Sequence, residues 1–152
     1  MDTEYYYSPV GILEIKASNK ALISVNLKKD YKAFTSSNNP VIKETIKQLS
    51  EYFEGKRRTF DIPLSPEGTE FQKKVWKELL CIPYGKTISY ANLAEAVGNP
   101  KASRAVGSAN GKNPIPIIIP CHRVIASDKG LGGYAYGLPV KKYLLELENK
   151  LT

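Results

Sequence analysis

The sequence has 152 residues and two cysteines, which fits one or two small domains that fold without a disulfide or metal framework. Its apolar residues, 42% of the chain, never form the run of about 20 that a membrane helix requires, so we expect no contact with a membrane. The net charge of +7 favours nucleic acid as a partner, although a basic surface that only keeps the protein soluble fits it equally well.

The N-terminal residues and the two cysteines indicate the cellular compartment of the protein. Residues 1–4 are acidic rather than basic, and no apolar core with a small-residue cleavage site follows them, unlike in a secretory signal. Cys81 and Cys121 could form at most one bridge, whereas secreted domains that depend on disulfides carry more cysteines. We therefore expect a cytoplasmic protein with free thiols.

The first 64 residues are rich in short β-type segments. Tyr5–Tyr7, Gly11–Ala17 and Ala21–Leu27 alternate partly between apolar and polar residues, which predicts a small antiparallel sheet. Further on, apolar residues recur at helical spacing up to Phe53, and this predicts one helix packed on the sheet. A last β-type run, Thr59–Leu64, predicts a further strand.

Ser65–Gly68 is the best candidate for a linker, because proline and glycine interrupt the pattern there and the character changes from sheet to helix. We therefore predict two domains, residues 1–64 and residues 65–152. The fold class is mixed α/β (α+β): a small N-terminal antiparallel sheet with a packed helix, followed by a mostly helical domain.

Capping residues predict two short helices at the start of the second domain. Thr69, with Gln72 three residues later, has the pattern of a capping box, and the helix should end near Cys81. Ser89 is the expected cap of the next helix, which Gly98 ends.

A third short helix follows directly. Asn99 and Pro100 predict its cap and first turn, and Gly111 ends it. Its apolar face is expected to hold Ala102, Ala105, Val106 and Ala109. Two short helices joined by a tight turn are typical of the helix-turn-helix motif, whose second helix lies against DNA. Domains that never bind DNA also contain such pairs, so the motif needs a second signal.

The second signal is an apolar run bounded by prolines, residues 114–120, which precedes a cysteine and the only histidine of the chain. Because proline lacks a backbone donor, the run cannot be a helix or a central strand. We predict a rigid, buried, extended segment that fixes the direction of Cys121.

A cysteine attacks as its thiolate, so Cys121 needs a base nearby, and His122 is the only imidazole available. Neighbours in an extended chain project to opposite sides, so His122 reaches Cys121 only where the backbone bends or through a bridging water, and we expect the water. A buried structural cysteine beside a surface histidine is the alternative interpretation.

The stretch from Phe71 to Glu148 resembles the O6-alkylguanine-DNA alkyltransferases, also called methylated-DNA–protein-cysteine methyltransferases. The motifs that carry the resemblance are, in family order, Ile88–Tyr90, Arg104–Gly107, Asn113–Pro114, Pro120–Arg123, Gly133–Tyr134 and Leu144–Glu148. The first 64 residues are similar to the family's N-terminal domain only in size and strand content. The resemblance implies a ribonuclease H-like first domain and a second domain, residues 65–152, that binds DNA and carries the active site.

In this family a cysteine takes the alkyl group from O6 of guanine and keeps it as a thioether. The resemblance implies that Cys121 is this cysteine and that Glu148 orients His122, which polarises a water toward the sulfur. Each molecule then acts once, and no cofactor is required. Glu148 belongs to a last predicted helix that begins at Pro139. The inward face of that helix is expected to hold Val140, Leu144 and Leu147. Without the resemblance, Glu148 would be an ordinary solvated residue near a helix end.

The reacting atom lies inside the duplex, so the nucleotide must be turned out of the stack. The resemblance implies that Arg104 fills the gap, with a plain phosphate contact as the alternative. It also implies that Tyr90 crowds the flipped nucleotide's phosphate and donates to guanine N3. The second helix of the pair then enters the minor groove of double-stranded DNA, where degenerate readout suits any sequence context. Further DNA contacts are expected from Lys101, Ala102 and Ser103, and we expect a monomer.

By the same resemblance, the base pocket involves Asn113, Pro116, Val124, Tyr134, Ala135 and Tyr136. Pro116 and Tyr134 are expected beside the base, and the Ala135 amide near O6. The backbone carbonyls of Cys121 and Val124 are expected to accept from the exocyclic amine of guanine. Asn113 would tie the second helix of the pair to the cysteine turn.

Two features of this sequence differ from parts of the family. Tyr136 stands where wide-pocket members have glycine, and an aromatic ring there should narrow the opening for large alkyl groups. Some members bind a structural zinc in the N-terminal domain. One histidine and two cysteines do not supply its ligands here, so we predict no metal.

Three other classes of protein share some of these features. A lesion binder that flips O6-alkylguanine without repairing it would lack the cysteine. A regulator built on the same helix pair would prefer one operator sequence over DNA damage. A cysteine hydrolase would turn over through an acyl-enzyme.

Overall fold

The computed structural model describes residues 1–28, 36–128 and 130–150. The chain divides into two compact units, Met1–Glu67 and Gly68–Thr152. No helix in the described part of the chain is both long enough and apolar enough to cross a membrane.

The first unit is an antiparallel sheet with one helix, as predicted. The strands are β1 (Asp2–Ser8), β2 (Gly11–Ala17) and β3 (Leu22–Lys28), in the order β1-β2-β3. Helix α1 (Pro40–Phe53) contacts all three strands, so its apolar side and the buried side of β2 form the core. The Asn39 side chain begins α1 by accepting hydrogen bonds from two first-turn amides.

The predicted strand at residues 59–64 is wrong. Among the described residues it is reduced to one parallel bridge between Leu22 and Leu64. The backbone of Asp61 is engaged elsewhere, because its N–H donates to the Gln48 side chain and its carbonyl accepts from the same amide, at 2.8 and 3.1 Å. A helix side chain therefore satisfies the backbone groups that a strand partner would have taken.

The second unit is mostly helical. Its elements are α2 (Glu70–Leu79), β4 (Ile88–Ser89), α3 (Tyr90–Ala96), α4 (Ser103–Gly111), a one-turn 3-10 helix (Cys121–Arg123), β5 (Val124–Ile125) and α5 (Leu138–Lys150). Strands β4 and β5 pair in parallel, which brings the start of α3 beside the segment that follows Cys121. The mixed α/β fold class is confirmed.

The predicted caps of α2 and α3 are confirmed. Thr69 and Gln72 form a complete capping box, and the Ser89 side chain accepts from the amide of Asn92. Gly98, with φ of +86°, ends α3 in the left-handed region that glycine adopts readily. Helices α3 and α4 pack against each other as the two helices of the predicted pair.

Helix α4 is capped at Ala102, three residues later than the expected cap, Asn99. Asn99 and Pro100 form a separate turn in which the Ala102 amide donates to the Asn99 carbonyl, because proline fits the second position of a turn as well as a helix start. The predicted apolar face is also partly wrong, because Ala105 is exposed. The buried residues of α4 are Val106, Ala109 and Asn110.

The run before Cys121 is buried, as predicted, but it is not extended. The Ile119 amide donates to Ile115, and the Ile118 amide donates to Pro116, both at 2.9 Å, so the segment coils into consecutive turns. The prolines cannot donate to a neighbouring strand, and the amides of Ile118 and Ile119 bond within the run instead. Ile117 has φ of +73°, an unusual and strained value for a β-branched residue.

Candidate active site

Cys121 opens the 3-10 turn and lines a cavity in the second unit. Its amide donates to the Ile119 carbonyl at 2.8 Å across Pro120, whose φ of −81° and ψ of 66° are those of an inverse γ-turn. The backbone bends at Cys121 and His122, because both lie in this turn, and the water between their side chains stays a prediction. The cysteine is 5% exposed, and that surface faces the cavity.

The cavity has a volume of about 170 Å³, below the roughly 300–1,000 Å³ of sites for drug-sized ligands. A cavity of this size can hold a ligand much smaller than a drug-sized molecule. The predicted site residues that line it are Tyr90, Asn113, Cys121, Tyr134, Ala135 and Tyr136. The rings of Tyr134 and Tyr136 meet edge to face with centroids 5.9 Å apart. The two rings, which we call the aromatic wall, therefore line the same cavity as the thiol.

Pro116 and Val124, also expected in the pocket, are not among its lining residues. Pro116 is buried in the turn that precedes Cys121. The Val124 carbonyl accepts from Lys141 at 2.7 Å, and the Cys121 carbonyl accepts from Asn110 at 3.3 Å. Each carbonyl expected to bind the guanine amine therefore already has a protein donor.

Asn113 joins the end of α4 to the turn that carries the cysteine. Its side-chain amide donates to the Ile119 carbonyl at 2.7 Å, while its oxygen accepts from the Ile115 amide at 2.9 Å. Asn110, one turn earlier, was not predicted. Its side-chain oxygen is buried beside the cavity and has no hydrogen-bond partner among the described residues.

Burial raises the pKa of the Cys121 thiol, because a thiolate loses its hydration there. The side chains of Asn113, Lys141 and Tyr134 act in the opposite direction without cancelling that effect. At neutral pH the thiol is therefore mostly protonated, and a proton acceptor must assist its reaction.

His122 and Glu148 form a fully buried pair. Their Nε2 and Oε2 atoms lie 2.7 Å apart, and the exposed fractions of the two side chains are 0% and 1%. Burial raises the pKa of Glu148, but hydrogen bonds and charges from His122 and Arg123 outweigh it and lower the pKa to about 2. Because the carboxylate is charged, it accepts from Nε2–H, which leaves Nδ1 with a free lone pair.

The pKa of His122 is lowered by burial, so the imidazole is neutral at pH 7. Its Nδ1 has no hydrogen-bond partner within the described part of the chain. A neutral imidazole with one nitrogen held by a carboxylate and the other open is suited to take a proton.

Arg123 is a second partner of Glu148 that had no predicted role, although it belongs to the motif around Cys121. Its Nε and Nη2 donate to the two carboxylate oxygens at 2.8 and 3.1 Å, and its Nη1 donates to the Ile82 carbonyl at 2.7 Å. The Gly85 amide adds a further bond to Glu148 at 3.2 Å. The carboxylate is thus fixed from several sides.

The inward face of α5 differs from the prediction. Leu144 is buried, but Val140 and Leu147 are half-buried, and the fully buried positions include Lys141 and Glu148. These two residues are seven apart and so share a face of the helix. The spacing could have revealed Lys141, but a lysine is usually exposed.

The residues expected to bind DNA are separate from the cavity, apart from Tyr90. Lys101, Ser103 and Arg104 are exposed at the start of α4, and Ala102 is half-buried. Tyr90 opens α3, and its hydroxyl donates to the Gly133 carbonyl at 3.4 Å. Tyr90 therefore links the helix pair to the cavity.

Family models match nearly the whole chain. Residues 70–150 match the DNA binding domain of 6-O-methylguanine DNA methyltransferase, and residues 1–66 match its ribonuclease-like domain. The methylated-DNA–protein-cysteine methyltransferase of Methanosarcina acetivorans is 47% identical over 148 residues, which cover 94% of this chain and 95% of that protein.

Solved structures agree with the family models. The O6-methylguanine methyltransferase of Mycobacterium tuberculosis is 41% identical and superposes with a TM-score of 0.89, covering 99% of this chain and 93% of the other. The same organism's OGT in complex with DNA also has a TM-score of 0.89 at 41% identity, with 99% and 94% coverage.

Proposed function

This chain belongs to the 6-O-methylguanine DNA methyltransferase family, and on that premise we propose that Cys121 is the residue that accepts the alkyl group. Its activity is that of a methylated-DNA–protein-cysteine methyltransferase, which repairs DNA by moving an alkyl group from a base to a protein cysteine. The observation that carries the assignment is a thiol that lines a cavity and is next in sequence to a buried imidazole–carboxylate pair.

Cys81 is the other cysteine, and its surroundings do not suit the reaction. It is exposed at the end of α2, and its sulfur lies 3.9 Å from the Lys77 carbonyl of the preceding turn. It does not line the cavity that holds Cys121 and the aromatic wall. Cys121 is therefore the acceptor that the local chemistry supports.

His122 removes the thiol proton in this proposal. Its Nδ1 is the available acceptor, and a bridging water carries the proton from the sulfur. Glu148 stabilises the imidazolium that forms, as the carboxylate does in a hydrolase triad. Arg123 keeps Glu148 charged and correctly oriented throughout.

The sulfur anion then attacks the carbon attached to O6 of guanine. A carbon–sulfur bond forms, the carbon–oxygen bond breaks, and its electron pair leaves with guanine. The proton lost by the thiol balances the proton that the departing guanine gains. Because a thioether has no easy hydrolytic exit, each molecule acts once, and the step uses no cofactor.

Tyr90 is the group that we assign to protonate guanine at N3, and the proton that His122 took from the thiol then restores the phenol through solvent. Burial raises the pKa of its phenol, so it remains a proton donor at neutral pH. Its present acceptor, the Gly133 carbonyl at 3.4 Å, is a long contact that a base can replace.

DNA binding is assigned to the helix pair. The exposed Lys101, Ser103 and Arg104 contact the backbone and minor groove of double-stranded DNA, and Ala102 lets the chain approach closely. Arg104 fills the space of the flipped nucleotide, because a guanidinium stacks on bases as well as binding phosphate. We propose a monomer that works in the cytoplasm.

The test uses duplex DNA with one O6-methylguanine. After incubation and digestion, mass spectrometry should find one methyl group on the peptide with Cys121 and none on the peptide with Cys81. The Cys121→Ser variant should bind the damaged duplex without accepting methyl, and Cys81→Ser should react like the parent. An unmodified Cys121 after incubation with excess damaged DNA would refute the assignment.

A further inference from the structure

Lys141 is the most unusual charged residue of the second unit. It lies in α5, and its side chain is 0% exposed, although lysine is seldom buried without an acidic partner. No carboxylate lies within ion-pair distance of its Nζ among the described residues. Its role in the fold therefore needs an explanation other than a salt bridge.

The Lys141 ammonium is held by two backbone carbonyls. Its Nζ donates to Val124 at 2.7 Å and to Gly133 at 2.9 Å. Val124 follows the 3-10 turn of Cys121, and Gly133 lies in the segment between β5 and α5, where it lines the cavity beside Tyr134. The Lys141 side chain therefore ties the segment that carries Cys121 to the segment that carries Tyr134.

The charge of Lys141 acts on Cys121 as well. Burial lowers the pKa of Lys141 to about 8, and its interaction with Cys121 opposes that change. The other ionisable groups that act on Cys121 are the phenols of Tyr90, Tyr134 and Tyr136. Arg123 is already paired with Glu148, so Lys141 is the buried cation left for the thiolate among the described residues.

We propose that Lys141 is a positioning residue of this site, which clamps the two cavity segments together and supplies the counter-charge of the Cys121 thiolate. The proposal rests on the assignment of Cys121 as the alkyl acceptor. It adds a second source of thiolate stabilisation beside His122: the imidazole removes the proton, and the ammonium lowers the energy of the anion that remains.

The experiment measures the reactivity of Cys121 without DNA. A Cys81→Ser background removes the exposed thiol, and carboxamidomethylation by iodoacetamide is followed on the Cys121 peptide from neutral to alkaline pH. Lys141→Met removes the charge at similar length, and Lys141→Arg keeps it. Lys142→Met is the matched control, because the Lys142 side chain is 67% exposed and pairs with Glu146.

Lys141→Met should move the midpoint of the profile to higher pH. The rate at neutral pH should fall about tenfold for every pH unit that the midpoint rises, because the thiolate fraction falls by that factor. Lys141→Arg should stay closer to the parent, and Lys142→Met should match it. An unchanged midpoint in Lys141→Met would overturn the counter-charge even if methyl transfer from DNA became slower.

A second measurement does not depend on how well Lys141→Met folds. The titration of the Lys141 ammonium can be followed by NMR in the parent and in Cys121→Ser. Because the interaction is reciprocal, the sulfur anion that forms as the pH rises should hold the proton on Lys141, so the titration of Lys141 should extend to higher pH in the parent than in Cys121→Ser. An identical titration in the two proteins would contradict the proposal. Since neither readout uses DNA, both stand whether or not methyl transfer to Cys121 is observed.

Discussion

His122 Nε2 lies 2.7 Å from Glu148 Oε2, and the same carboxylate is held by the guanidinium of Arg123. The two oxygens of Glu148 therefore accept hydrogen bonds from the His122 imidazole and from the permanently charged Arg123 guanidinium. Because Arg123 already balances the charge of Glu148, the imidazole can stay neutral in the resting protein. This arrangement keeps His122 able to accept a proton while fixing the direction of its ring.

The Glu148→Gln variant tests this relationship. An amide preserves the shape of the side chain but cannot stabilise an imidazolium, so methyl transfer should slow by about 100-fold at pH 7. Single-turnover methylation of Cys121 from a damaged duplex gives the rate. Glu146→Gln, at a 57% exposed position on the same helix, is the control. A Glu148→Gln rate equal to that of the control would remove the carboxylate from the mechanism.

The sequence predicted most accurately the features that depend only on neighbouring residues, such as the starts of helices. At the starts of α2 and α3, a cap side chain accepts from an amide three residues further on. The residues next to each helix start are therefore enough to predict where it begins. The turns at residues 114–120 were missed because prolines exclude a ladder without deciding between an extended and a coiled chain. The expected strand at residues 59–64 failed because Gln48, from another element, takes its backbone groups.

The site was predictable to a similar extent. The motif around Cys121 and the family resemblance pointed to residues that do line one cavity. Lys141 and Asn110 were missed, because their importance comes from burial and from contacts with residues 8 to 17 positions away. Spacing places Lys141 on the same face of α5 as Leu144 and Glu148, but a lysine is expected to be exposed wherever it lies.

The stability of the second unit should depend on pH through His122. Its pKa in the folded protein is lowered by burial, so the unfolded chain binds a proton first as the pH falls. The free energy of unfolding does not depend on His122 above about pH 6.5, the ordinary pKa of histidine. Below that pH it falls by at most about 1.4 kcal/mol per pH unit because the unfolded chain binds the proton first. Glu148, with a pKa of about 2, stays charged in this window.

Urea unfolding at several pH values between about 5 and 7 measures this dependence. The free energy of unfolding should fall toward pH 5 in the parent and fall less in His122→Gln, because residue 122 no longer binds a proton there. Equal slopes in both proteins would show that other groups cause the change.

Tyr136 should restrict the size of the alkyl group. Its ring meets Tyr134 at the cavity, so O6-benzylguanine should modify Cys121 more slowly than O6-methylguanine does. Tyr136→Gly should raise the benzyl rate by about tenfold or more, as expected for removing a steric barrier of about one to two kcal/mol. Tyr7→Gly, at a 61% exposed tyrosine of the first unit, is the control. Benzyl transfer by the parent as fast as methyl transfer would contradict this role of the ring.

Arg104 should matter for damaged duplex and not for a free base. If its side chain fills the space of the flipped nucleotide, Arg104→Ala should slow methyl transfer from duplex DNA by about 10- to 100-fold, the equivalent of the few kcal/mol that extrusion costs. The rate with free O6-methylguanine base should stay the same, because no stack has to be opened. Lys47→Ala, an exposed position on α1, removes one positive charge as well and controls for net charge. Equal losses with duplex and free base would mean that Arg104 acts on the cavity instead of the DNA stack.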